Sequence, residues 1–68
     1  MKYSHLNNAI CDRGIKKSAI AKRLGISERT LRHKVEGTTQ FTWDQVCQIQ
    51  EHFFPDIPIR QLFATDDQ

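Results

Sequence analysis

The stretch from Ser18 to Gly37, SAIAKRLGISERTLRHKVEG, is the part of the chain whose reading decides the fold. Ile20, Ala21 and Leu24 fall on one helical face, and Leu31 and Val35 on another, so the stretch reads as two short helices. The first is expected from about Lys17 to Leu24 and the second from Glu28 to Glu36. Ala21 is small, as a close crossing of two helices requires. Gly25 tolerates the positive φ of a tight turn, and Ile26 gives that turn an apolar plug. Ser27 is an N-cap, Glu28 suits the positive end of the dipole, and Gly37 stops the helix. Lys16 is a poor cap for the earlier helix, and Ser18 is an alternative cap that would shorten it. A small crossing residue, a glycine turn, an apolar plug and an inward stripe at these offsets describe a helix-turn-helix.

Outward from this unit the pattern stays helical. Tyr3, Leu6, Ala9, Ile10 and Arg13 recur at three- and four-residue steps before Gly14, which predicts a first helix. Thr38, Thr39 and Gln40 make a polar loop. Thr42 with Gln45 three residues on forms a capping box, and Phe41 can clasp Val46 as a hydrophobic staple. The helix they open buries Val46, Ile49 and Phe53 and ends near His52 or Phe53, before Pro55. Pro58 is expected as the first residue of a short fifth helix running to about Phe63, with Leu62 and Phe63 in the core. No alternation with a period of two appears, so the fold class is all-α with five helices. One domain is expected over residues 1–63, followed by a frayed tail over 64–68.

A chain of 68 residues is near the lower limit for a core without staples, and leaves no room for a sensory or catalytic domain of ordinary size. No apolar run approaches the roughly eighteen residues of a membrane span, and MKYSHLNN lacks the apolar stretch of a signal peptide. A soluble, cytoplasmic protein is therefore expected. Cys11 and Cys47 read as plain thiols, and His5, His33 and His52 share no metal-ligand spacing with them. No metal, cofactor or small-molecule ligand is expected. No nucleophile–base or paired-carboxylate spacing supports an enzyme.

The net charge of +2 conceals a division. Residues 1–40 hold nine of the ten Lys and Arg against three acids, whereas residues 41–68 hold Arg60 against five acids. A basic part joined to an acidic part points to one end that faces a polyanion and another that does not.

AIAKRLGIS over residues 19–27, TLRHKVEG over 30–37 and FTWDQVCQI over 41–49 together resemble the lambda-repressor-like, Cro-type (XRE) helix-turn-helix family of phages and bacteria. The resemblance runs from the first helix through Leu62 and Phe63. It implies a five-helix, DNA-binding transcriptional regulator of the repressor or Cro type. It further implies a dimer on a double-stranded operator, with the third helix in the major groove. Two positions depart from the family pattern: Lys16 stands where a capping side chain is frequent, and Glu28 where Gln or Arg is more usual.

With Leu31 and Val35 turned inward, Glu28, Arg29, Arg32 and His33 are the candidates for base contact, and Glu36 shares their outward face. Arg29 can pair with guanine O6 and N7, and Glu28 can accept from cytosine N4. The competing reading of Glu28 is a partner to the helix dipole and to Arg32 one turn on. Lys16, Lys17, Ser27, Thr30, Lys34, Thr38 and Thr39 are candidates for phosphate contact. Lys22 and Arg23 point away from the helix start and are weaker candidates. Trp43, Phe54, Ile57 and Ile59 exceed what so small a core readily buries and are candidates for a dimer interface. The rival function is an antitoxin- or adaptor-like protein-binding module that keeps the fold without operator binding.

Overall fold

Leu6 with Ile10 and Leu31 with Val35, each pair one helical turn apart, face inward to meet Ile20, Ala21, Ile49, Phe54 and Leu62. None of these side chains is more than 2% exposed. The computed structural model describes residues 1–65. In chain order they form α1 (Ser4–Asp12), α2 (Lys17–Leu24), α3 (Glu28–Glu36), α4 (Trp43–Phe53) and α5 (Ile59–Leu62). No strand occurs among the described residues, so they are all-α. The core is shared: α2 packs on α3, α1 lies against α3 and α5, and α4 touches α2 and α5.

The helix boundaries follow from how each end meets its unpaired backbone groups. Lys16 caps α2 without a side-chain bond, and its carbonyl accepts from the N–H groups of Ala19 and Ile20. The helix therefore starts at Lys17 and Ser18 does not cap it. A missing cap costs about 1 kcal/mol, less than the roughly 1.5–3 kcal/mol gained on burying an Ile, and Ile20 is fully buried. At its other end Gly25 turns left-handed at φ 72°, and the Ile26 N–H returns to the Ala21 carbonyl at 3.0 Å.

Ser27 opens α3, its Oγ accepting from the Thr30 N–H at 3.1 Å. Gly37 closes the helix at φ 97°. The last carbonyls of α3 are also met from the chain start: Lys2 N–H donates to Glu36 and Tyr3 N–H to Val35, at 3.2 and 3.1 Å. The capping box of α4 is complete, with Thr42 Oγ1 accepting from the Gln45 N–H and Gln45 Oε1 from the Thr42 N–H.

Three expectations are corrected. Pro58 stands outside α5 as its N-cap with extended ψ 145°, because the ordered turn begins at Ile59, and Phe63 is the C-cap. Val46, Phe53 and Phe63 are half-buried rather than central. Their place is taken by Phe54, which is wholly enclosed. Phe54 follows the last turn of α4 at φ −139° and ψ 55°, out of helical phase, so its ring swings inward. Gln50 Nε2 fixes this corner by donating to the carbonyls of Phe54 and Ile57 at 3.3 and 3.1 Å. Of the tail expected over 64–68, residues 66–68 lie outside the described residues, and Ala64 and Thr65 are half-buried.

Candidate nucleic-acid interface

Burial of Leu31 and Val35 fixes the roll of α3 and leaves Glu28, Arg29, Arg32 and Glu36 exposed. His33 and Thr30 are half-buried at the edge of that face. Packing of α2 on α3 brings Lys17, at the start of α2, to a shallow recess that it lines together with Glu28 and Arg32. Four of the residues singled out for base contact thus share one helix, and one phosphate candidate joins two of them in a single hollow.

The cations of the molecule divide into those with an internal partner and those without one among the described residues. Arg13 makes a two-pronged bond with Asp56, its Nη1 donating to Oδ1 at 2.8 Å. The bond from Arg13 holds the Asp56 carboxyl below the ordinary carboxylate range, helped by its own backbone N–H and the nearby positive charge. The same bond raises the Arg13 guanidinium. Arg23 donates to His52 Nε2 across the contact of α2 with α4. An arginine has no acceptor, so that histidine nitrogen offers its lone pair. Lys2 lies over the Tyr3 ring at 5.5 Å.

Lys16, Lys17, Arg29 and Arg32 have no such partner among the described residues, and neither do Lys22 and Arg60. The pairing of Glu28 with Arg32 that their spacing allows is not formed. Arg13 with Asp56 is the one ion pair among the described residues.

The phosphate candidates divide. Lys16 is exposed and Lys17 half-buried at the start of α2, and Thr38 and Thr39 are exposed just after α3. Ser27 accepts at the cap and donates from its hydroxyl to Thr30 Oγ1 at 2.9 Å, so both hydroxyls are engaged in holding the start of α3. Lys34 is half-buried and its Nζ donates to the Gln40 carbonyl at 2.8 Å. It braces the loop between α3 and α4, a structural role that spacing alone did not reveal. The Thr38 N–H donates to the His33 carbonyl at 2.9 Å, which closes the same loop from the backbone side.

The apolar candidates are not one surface. Trp43 is 70% exposed at the first position of α4, whereas Phe54 is 0% exposed. Phe54 is thereby removed from any partner-facing set: its ring lies in the core with the Arg13 guanidinium 5.1 Å from its centroid. Ile57 is half-buried against the core and lines a shallow groove between α1 and α5 with Ala9 and Leu62. Ile59 is half-buried at the start of α5. Among the described residues no helix is long and apolar enough to cross a membrane. Comparison with known proteins matches no family model, no curated protein and no solved structure to this chain.

Proposed function

We propose that this protein is a sequence-specific, double-stranded DNA-binding transcriptional regulator of the lambda-repressor-like, Cro type, with α2 and α3 as its helix-turn-helix. One observation carries the reading. The exposed face of α3 and the adjoining start of α2 hold Lys16, Lys17, Arg29 and Arg32, four of the six Lys and Arg with no partner among the described residues, whereas Arg13 and Arg23 are bonded elsewhere. Like charges gathered on one face repel, and a polyanion neutralised by them releases its own condensed counterions, which turns that repulsion into affinity.

In this reading α3 enters the major groove, where a helix fits and base edges are distinguishable. Arg29, in its first turn, reads guanine, and Arg32 and His33 follow along the groove. Lys16 and Lys17 hold the phosphate backbone beside α2, and Thr38 and Thr39 hold it beyond α3. Two copies on half-sites about one helical turn apart would occupy an operator and exclude polymerase. The exposed Trp43 and the half-buried Ile57 and Ile59 remain of the set expected for pairing, in the cytoplasm of a bacterial or phage-infected cell. The exposed Trp43 favours one second reading, a protein-binding module whose partner covers the start of α4.

Selection from random duplex DNA at moderate salt, run on wild type and Arg29→Ala in parallel, tests the proposal. A two-fold site is expected, loosened at one base pair per half-site in the variant by about 1–3 kcal/mol. Weak, salt-sensitive binding without an enriched site would favour the protein-binding module.

A further inference from the structure

We infer that Glu28 acts as a selectivity gate on the α3 face, admitting a base pair that presents cytosine N4 and rejecting the others. The inference rests on the DNA-binding reading above. It starts from what Glu28 does not do inside the protein. Glu28 is the first residue of α3 and is exposed. The cap of that helix is supplied by Ser27 to Thr30, and Thr30 occupies the position from which a Glu would complete a capping box. No ion pair joins Glu28 to Arg32 one turn on or to Lys17 across the recess that all three line. The carboxylate therefore shares the recess with cations of two helices and has no hydrogen-bond or ion-pair partner among the described residues.

A carboxylate in that place has a defined chemistry. Ionised, it only accepts hydrogen bonds. In the major groove the donors are cytosine N4 and adenine N6, whereas guanine O6 and N7 and thymine O4 are acceptors that repel it. Adenine places N7 beside its amino group, so a second carboxylate oxygen meets a lone pair there. Cytosine places a C–H edge on one side of N4, so the carboxylate can sit toward that side, away from O6 of the paired guanine. Phosphates repel Glu28 as well, so it weakens binding in any register that lacks the matching base. Lys17 and Arg32 keep the recess net positive, which lets DNA approach while Glu28 discriminates. Specificity of this kind comes from penalising wrong partners as well as from favouring the right one.

The test compares wild type, Glu28→Ala and Glu28→Gln by selection from random duplex DNA and by titration of an unselected duplex across salt concentrations. Wild type is expected to enrich a site with cytosine at one position of each half-site. Changing that base should weaken wild-type binding about tenfold. In Glu28→Ala that position relaxes, and the unselected duplex binds more tightly than to wild type. In Glu28→Gln the preference moves to adenine, which an amide can meet at both N6 and N7. An enriched wild-type site whose bases are unchanged in both variants overturns the gate and leaves the DNA reading standing. Absence of an enriched site for all three proteins overturns the DNA reading and the gate with it. Because Glu28 is exposed and forms no ion pair or hydrogen bond among the described residues, matching far-UV circular dichroism is expected, with melting lowered only slightly by loss of the charge at the helix start.

Discussion

Arg13 and Asp56 are 43 residues apart, yet their two-pronged bond joins the end of α1 to the corner after α4. The Asp56 carboxyl is lowered in the folded protein, chiefly by that bond. Linkage fixes the sign: this contribution is complete above the unfolded carboxylate range and is lost as pH falls through the lower folded-state value. Asp56→Asn is expected to lower the urea midpoint at neutral pH, and the gap from wild type should close in strong acid. A gap of constant size at every pH would assign Asp56 a packing role instead. Neither this pair nor the burial of Phe54 was legible in the sequence, because both depend on where the chain goes after Pro55. The outward residues of α3 were legible, since Leu31 and Val35 fix its roll from within the helix itself.

Helix ends are where local chemistry speaks most directly. Ser27, Thr42 and Gln45 announce their caps because each bond spans only three residues. The start of α2 lies at Lys17 as read, but the cap that Ser18 offered is not used, because burial of Ile20 and Ala21 holds that end from the far side. Two glycines separate backbone strain from crowding. A side chain at Gly25 meets nothing within 4 Å, so Gly25→Ala carries only the cost of the left-handed conformation, roughly 1–2 kcal/mol. At Gly37 the added carbon would come within 2.7 Å of Lys2 Cβ, near the backbone of the segment that bonds the end of α3. Gly37→Ala should therefore be the more destabilising in urea unfolding. Equal losses would mean that the chain start shifts aside at no cost.

Across the whole molecule, distant segments are fastened by aromatic rings. Tyr3, Phe41 and Phe63 meet edge to face with centroids 5.3–5.9 Å apart, joining the chain start, the loop before α4 and the residue after α5. Such closure has no sequence signature, although the hydrophobic pattern that fills the core does. Phe63→Ala is expected to cost on the order of 2 kcal/mol, below the value for a fully buried ring. It should also speed amide exchange at Lys2 and Tyr3 relative to Ile49, because their bonds to α3 lie on the loosened side. Uniform acceleration across the chain would show instead that the rings support global stability alone.

Trp43, the chain's single tryptophan, stands 70% exposed at the start of α4. Its indole is bathed by water in the native chain much as in the unfolded one, so its fluorescence is a poor witness to melting. For the same reason a change of its colour or brightness during a titration is a report from outside: some other molecule has come to lie against that corner.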